Sequence, residues 1–489
     1  MIPRPDVDWY VLSPVLALLA AAGLALLLSV FVPRWARRAT GAVLATAGFA
    51  TAGVLAAFVF RDSGTPTFEV GDAVTRDRWA LYAQLLVCGA GVLAVLVSYA
   101  ERMPDDHIGE YYALLATAGA GMCFFVQAEN LMTLFLGLEW FSICLYILCA
   151  IDMQVVGSLE AGLKYLVIGA FGSATLLFGS ALVYGSTGEL EFHAIAREAQ
   201  VDDALFVAGV AMMLVGFGYK ASAAPFHQWT PDVYEGAPTP VTAFMSAATK
   251  VAALVVMLRV LRVAFPMEAH LWTVALSVIA TVSLVIGNVA ALVQKGVKRM
   301  LAYSSVSNAG FMLIAIVANS ELGALALLYY LVPYCAMSVG AFAVVAARER
   351  ELRAPATLDN LAGFGWERPF LGIAMWIFML GFAGFPLTGG FLAKFYVFSA
   401  AYDSGWTWLV IVGAGATLVS LYYYLGVVRA LYMRSPLELR IAPAGGSPPR
   451  ETLLQTGVVL CVAVTVGSFF AAEPLIDLAR HAAESIPFD

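Results

Sequence analysis

Charge is scarce in this sequence. Asp, Glu, Lys and Arg make up only 12% of its 489 residues, about half the share usual for a soluble globular chain. A soluble chain of this length splits into two to four domains, and there is too little charge here to cover their surfaces. Basic runs are missing too. No stretch of Lys and Arg exceeds a few residues and the formal net charge is −7, so the chain lacks the electrostatic footprint of a nucleic-acid binder. The six cysteines, Cys88, Cys123, Cys144, Cys149, Cys335 and Cys461, all fall inside apolar stretches without metal-type spacing. They read as small buried hydrophobes. No iron–sulfur, haem or flavin motif is visible, so no redox centre or metal site is expected in this chain. What is abundant is apolar: 61% of residues, with a mean hydropathy of +0.84. A soluble enzyme and a disordered chain are thereby excluded, and a polytopic helical membrane protein remains.

Fourteen apolar stretches run along the chain, near 11–32, 39–60, 79–99, 109–127, 130–150, 160–184, 204–227, 239–263, 271–293, 297–318, 321–347, 369–401, 406–433 and 452–472. Each is close to or above the roughly 20 residues a helix needs to cross a bilayer. Lipid offers no partner for free backbone groups, and barrel strands would be short and strictly alternating, so helices are expected. The first run, Val11 to Val32, is followed by its basic cluster Arg34, Arg37 and Arg38. A signal peptide has the reverse order.

Alternate loops carry unequal positive charge. Fourteen basic residues fall on one side, among them Arg34, Arg102, Lys298, Arg440 and Arg450. Eight fall on the other: Arg4, Arg61, Arg76, Arg78, Arg197, Arg259, Arg262 and Arg480. The positive-inside rule then puts both termini outside.

Of the remaining basic residues, Arg429 sits near a span end and can snorkel. Lys164, Lys220, Lys250 and Lys394 fall within predicted spans. So does Glu139, near the middle of LFLGLEWFS. An ionisable group at that depth costs several kcal/mol and normally faces a protein interior or water. Glu160 and Lys164 open the sixth span at i,i+4 spacing with Glu first, the favourable order; capping or snorkelling is the plain alternative for this pair. Lysine suits proton handling. Its ordinary pKa is about 10.4, burial and a neighbouring cation favour the neutral form, and a carboxylate favours the charged one. A lysine facing both Glu139 and a second lysine is therefore a switchable proton site.

Two long segments are broken beside these lysines. The seventh reads GFGYKASAAPFHQWTP, with Pro225 just after Lys220. The twelfth reads GFAGFPLTGGFLAKFYVF, with Pro386 and Gly389-Gly390 before Lys394. Proline removes a helix hydrogen bond and glycine eases bending. Broken helices at membrane depth line cavities, as in transporters. The two breaks are five spans apart, which predicts two inverted five-helix repeats: residues 109–263 (spans 4–8) and 271–433 (spans 9–13), with Lys220 and Lys394 as equivalent sites. Residues 1–108 then form three peripheral helices, and 452–489 a last helix with a short tail.

At these residues the chain resembles a known family. Gly216 to Pro240, GFGYKASAAPFHQWTPDVYEGAPTP, is similar to the signature of the antiporter-like membrane subunits of proton-pumping respiratory complex I. The TPDVYEGAPTP ending looks like the subunit N branch. QKGVKRMLAYSSVSNAGF (294–311) and GFPLTGGFLAKFYVF (384–398) resemble the same family. The resemblance implies fourteen helices with two inverted repeats, and proton movement driven by electron transfer elsewhere in the complex. It implies Glu139, Lys220, Lys250 and Lys394 as the proton path, with Lys164 matching a further lysine. His227, beyond Lys220, is either a relay toward the cytoplasmic surface or a structural hydrogen-bonder at a helix end. Flavin, iron–sulfur clusters and quinone are expected in other subunits. The implied partners are other membrane subunits, M and K as neighbours, with the lipid bilayer and no nucleic acid. The implied location is a bacterial inner membrane. The short tail leaves no room for the long lateral helix of subunit L. On this reading Glu139 holds Lys220 protonated when close and releases it when drawn away. The rivals are a multi-subunit (Mrp-type) cation/proton antiporter, a hydrogenase-linked or chloroplast-type host complex, and an inactive scaffold, which four costly lysines argue against.

Overall fold

In the computed structural model, residues 7–101, 107–200, 202–434 and 451–488 are described. Arg4, Arg102, Arg440 and Arg450, used in the charge count, lie outside the described residues. The described chain is almost entirely helical. Each of the fourteen apolar stretches contains helix, interrupted in 204–227 and 369–401, and among the described residues eleven helices are long and apolar enough to cross a membrane. The only sheet among the described residues is a two-stranded hairpin, β1 (Thr67–Glu69) and β2 (Val74–Arg76).

The helices begin and end where local chemistry dictates. Asp77 caps α3 (Arg78–Ser98) by accepting from the Ala80 amide at 2.7 Å, and Asn130 caps α5 (Leu131–Cys149) through the Thr133 amide at 2.7 Å. Asp203 and Ser320 do the same for α8 (Ala204–Lys220) and α13 (Glu321–Leu352). Such caps satisfy amides that the helix itself leaves unpaired.

α10 (Thr239–Val263) is buried along its length, as expected of a helix with no continuous polar face. It packs on α13, which also contacts α12 (Val297–Val317), α15 (Pro369–Ala383), α16 (Gly389–Asp403) and α18 (Thr452–Phe470). These helices form the centre. α1 (Ser13–Phe31), α2 (Arg34–Asp62), α6 (Val156–Thr187), α11 (Ala269–Leu292) and α17 (Thr407–Met433) expose broad apolar faces.

α3 departs from the expectation that the first three spans are peripheral. It packs on α10 and α13. Its Trp79 indole donates to the Val255 carbonyl at 3.0 Å, and Tyr82 and Gln84 are buried with it. Aromatic and amide side chains that need internal partners draw this helix inward.

The hairpin, α4 (Ile108–Phe125), α5, α7 (Phe192–Glu198) and the terminal α19 (Ala472–Ala483) meet at one end of the bundle, called here the hairpin end. At the opposite end the strand-like residue Gly296 pairs with Thr357.

Candidate functional site

Both predicted breaks are present. α8 stops at Lys220, Ser222 takes a positive φ of 61°, and the chain resumes as α9 (Trp229–Gly236). α15 stops at Ala383, Gly384 and Leu387 have φ of 78° and 73°, and α16 starts at Gly389. The second break requires glycine. A Cβ on Gly390 would lie 1.9 Å from the Gly381 carbonyl oxygen, so the two half-helices touch through bare backbone.

Each break leaves carbonyls at a helix C-terminus without helical partners, and that end attracts positive charge. Lysines fill the role. Lys250 reaches from α10 and donates to the Ala221 carbonyl, the cap of α8, at 2.8 Å. Lys394 donates to the Ala383 carbonyl, the last residue of α15, at 3.2 Å, with its ammonium 4.4 Å from the Phe311 ring centre. Lys220 donates to Ser142 at 2.7 Å and Tyr165 at 3.3 Å and lies over Phe141 at 4.4 Å. The three lysines are 2%, 0% and 4% exposed for Lys220, Lys250 and Lys394. That is far too buried for snorkelling.

The two lysines expected to be equivalent differ in position. Lys220 ends the half-helix before its break, whereas Lys394 lies within the half-helix after its break. In the second break, the ammonium caps the partner half-helix. In the first, that task falls to Lys250, on the next helix.

Glu139 acts on Lys220 without touching it. Among the described residues no ion pair joins it to Lys220. α5 instead presents Ser142, one turn further along, to the ammonium. Glu139 is half-buried, with Oε1 shielded and without a hydrogen bond. It lies on the outward stripe of α5, in line with Met132, Leu136, Ile143 and Ile147, all exposed.

Lys164 does not join the buried lysines. Its side chain is 39% exposed and bonds to Glu160 at 2.7 Å and Asp232 at 2.8 Å. Asp232 also takes Arg299 at 2.7 Å. This network ties α9 to α6 and α12 at the end opposite the hairpin. His227 lies in the first break, partly buried, with Nδ1 unpartnered and its ring 6.2 Å from that of Tyr303.

A row of polar side chains lies between the two breaks, and the sequence reading missed it. Ser246, one turn from Lys250, bonds Ser338 at 2.7 Å. One turn along α13, Tyr334 meets Ser305 at 3.0 Å. Ser304 bonds the Tyr424 hydroxyl, Asn308 donates to the Ser304 carbonyl at 2.8 Å, and Tyr330 donates to Asn308 at 2.8 Å. The Phe382 ring, next to Ala383, stacks on Tyr424 at 5.7 Å. Ser304, Ser305, Tyr334 and Ser338 line a narrow void in the middle of this row. The available signal was SSVSN (304–308), four polar residues in five positions within a predicted span.

Five basic residues assigned to loops are buried in helices: Arg259, Arg262, Lys298, Arg348 and Arg350. Arg259 lies within α10, 1% exposed, donating to Asp77 and to the Val126 carbonyl. Lys298 lies in the first turn of α12 and donates to the Ala237 carbonyl at 2.9 Å and Thr239 at 3.0 Å. Arg259 and Lys298 have fixed partners, so neither acts as a free loop charge. Among the described residues no group of His, Cys, Asp and Glu is arranged to hold a metal ion.

Residues 128–420 match the family model described as NADH:quinone oxidoreductase/Mrp antiporter, transmembrane. The chain is 41% identical over 424 residues to "NADH-quinone oxidoreductase subunit N" of Trichlorobacter lovleyi, covering 85% of this chain and 86% of that one. It superposes on a chain of respiratory complex I from Thermus thermophilus with a TM-score of 0.79 and 31% identity, covering 96% of this chain and 99% of that one. A chain of the Mrp complex from Dietzia sp. DQ12-45-1b shares the fold, with a TM-score of 0.84 at 20% identity over 96% of this chain and 97% of that one.

Proposed function

Because the chain belongs to the NADH:quinone oxidoreductase/Mrp antiporter family of membrane subunits, we propose that its buried lysines carry protons across the membrane. The chain is a multi-pass, antiporter-like subunit of a proton-translocating NADH:quinone oxidoreductase. Its partners are the other membrane subunits of that complex. Subunits M and K are the neighbours we propose, with flavin, iron–sulfur clusters and quinone held elsewhere in the assembly. We assign the subunit to a bacterial inner membrane with the hairpin end outward, and its helices to two inverted repeats.

The observation that carries the reading is the trio of buried ammonium groups at the broken helices, with the serine–tyrosine–asparagine row between Lys250 and Lys394. A proton taken up from the end opposite the hairpin reaches Lys220. Lys220 and Lys250 meet the same short segment, since Lys250 bonds the residue that follows Lys220. The polar row ends at Tyr424, stacked on Phe382, the neighbour of the Ala383 that Lys394 caps. His227 stands between the uptake surface and Lys220, while Lys164 holds α9 in position through Asp232.

Glu139 acts on Lys220 through space from one turn away. Its outward stripe is the face to which we assign a neighbouring subunit, since an ionisable group facing out at membrane depth calls for a protein or water partner. Moving one charge against 100 mV costs about 2.3 kcal/mol, so electron transfer in the partner subunits supplies the drive.

The test uses the intact complex in proteoliposomes. Lys220→Met, Lys250→Met and Lys394→Met should each abolish or sharply reduce NADH-driven proton pumping. Unchanged pumping in all three would refute the assignment. Sodium flux through the chain without redox partners would instead support the Mrp-type alternative.

A further inference from the structure

The hairpin end carries a cluster of titratable groups that the lysine path does not use. Glu129 sits in the tight turn between α4 and α5. That turn is held from both sides: the Thr75 amide donates to the Gln127 carbonyl at 2.8 Å, and the Phe192 amide donates to the Glu129 carbonyl at 3.0 Å. The Glu129 side chain is 3% exposed, and its Oε1 has no hydrogen-bond partner. His193 Nδ1 lies 3.5 Å from that oxygen and is likewise shielded and unpartnered. The imidazole as a whole is 36% exposed and stacks on Phe68 of the hairpin at 4.8 Å. A buried acid therefore sits behind a histidine that reaches solvent.

The other charged groups acting on Glu129 are Arg259 from α10, Asp77 at the start of α3 and Asp72 in the hairpin turn. Arg259 is locked by Asp77 and the Val126 carbonyl. Gln84, two turns inward of Asp77 on α3, is buried with Oε1 unpartnered and Nε2 donating to the Cys123 carbonyl at 3.0 Å. Gln84 is thus a polar side chain inward of this cluster on α3.

We propose that Glu129 and His193 form the proton-release site of this subunit at the hairpin end. This inference rests on the proton-carrying reading above. The Glu129 O–H bond breaks and a bond forms at His193 Nδ1, giving a carboxylate and an imidazolium. The imidazolium then loses its Nε2 proton to bulk water, and exchange with solvent resets the ring. Burial pushes the Glu129 carboxyl up to about 8, an effect opposed by Arg259 and reinforced by Asp77 and Asp72. The group is therefore a neutral acid near pH 7, holding a proton to donate. After release, Arg259 stabilises the carboxylate, and its own charge opposes the return of a proton to the interior. The histidine needs only a small ring rotation to close 3.5 Å to hydrogen-bond length.

The experiment follows proton appearance at the hairpin side after an NADH pulse, in the intact complex in proteoliposomes. His193→Phe should slow that phase by about 10²-fold, the lower range for a positioned acid–base group. External imidazole should restore it, which a merely structural histidine would not allow. Glu129→Gln should slow it similarly and remove an infrared carboxyl band that titrates near pH 8 in the resting complex. If Glu129→Gln fails to assemble, the rescue of His193→Phe and the band in the unmodified complex still decide. Wild-type release in His193→Phe, or no titrating band, overturns the proposal. The lysine variants separate the two readings. If they stop pumping while both release variants behave as wild type, only the release site falls. If the lysine variants pump normally, the path beneath it falls.

Discussion

Arg259→Met is the sharpest perturbation of the fold's electrostatics. The Arg259 and Asp77 side chains are 1% and 5% exposed, so the pair is shielded from water. The arginine also donates to the Val126 carbonyl at 2.7 Å. Removing it leaves the Asp77 carboxylate with the Ala80 amide and the Thr75 hydroxyl, at 2.7 and 3.3 Å, as its partners. Stranding one member of a buried pair costs roughly 3–5 kcal/mol, so the single variant should lose that much.

Asp77→Asn strands the guanidinium instead. It keeps the cap on α3 through the remaining side-chain oxygen, so its loss should fall near the lower end of that range. The double variant restores neutrality and leaves mainly the Val126 carbonyl unsatisfied, a cost of about 1–3 kcal/mol. The singles should therefore sum to far more than the double, as expected of groups in direct contact. Unfolding in mixed micelles with rising denaturing detergent measures all three. Trp79 fluorescence reports on this region, because its indole is bonded to Val255, one turn from Arg259. A single-variant loss below about 1 kcal/mol, or strictly additive losses, would refute the reasoning.

Two further outcomes follow from the geometry. Gly390→Ala drives a methyl into the Gly381 carbonyl, 1.9 Å from the ideal Cβ. It should cost at least about 1–3 kcal/mol in the same unfolding assay, whereas Gly415→Ala, with nothing within 4 Å of the added carbon, should be neutral or stabilising. The second outcome concerns pH. The folded chain holds the Glu129 proton up to about 8, while an unfolded glutamate releases it near 4.3. The native state binds the extra proton across that window, so this contribution to stability is complete below it and is lost as pH rises through about 8. Comparing unfolding at pH 5 and pH 9 in wild type and Glu129→Gln checks this: the slope should flatten in the variant.

The helices were legible because lipid imposes one long apolar signal per crossing. The breaks were legible because Pro225, Pro386 and Gly389-Gly390 interrupt that signal. Lys220, Lys250 and Lys394 stood out for the same reason, as charges against an apolar background. Partners were much less visible. Arg259 looked like a loop charge because it lies near the end of its span, and Asp77 is 182 residues away. Ser246, Ser338, Tyr334 and Tyr424 carry no formal charge, and only packing brings them into register. The same limit applies to Glu139 and Lys220. Both were found, but which group on α5 touches the ammonium depends on helix rotation, and the answer is Ser142. α3 was misjudged because the partners that draw Trp79 and Tyr82 inward, the Val255 and Leu328 carbonyls, lie far along the chain.

The outward stripe of α5 has a consequence for biogenesis. A newly inserted copy, before assembly, turns Glu139 toward lipid alongside Met132, Leu136, Ile143 and Ile147. Acidic side chains at that depth carry an insertion penalty of roughly 2.5–3.5 kcal/mol. If the neighbour proposed above docks on this stripe and solvates the carboxylate, the penalty is removed and the assembled form is the more stable one. On that proposal Glu139 marks incompleteness, an unassembled copy being the easier one to unfold.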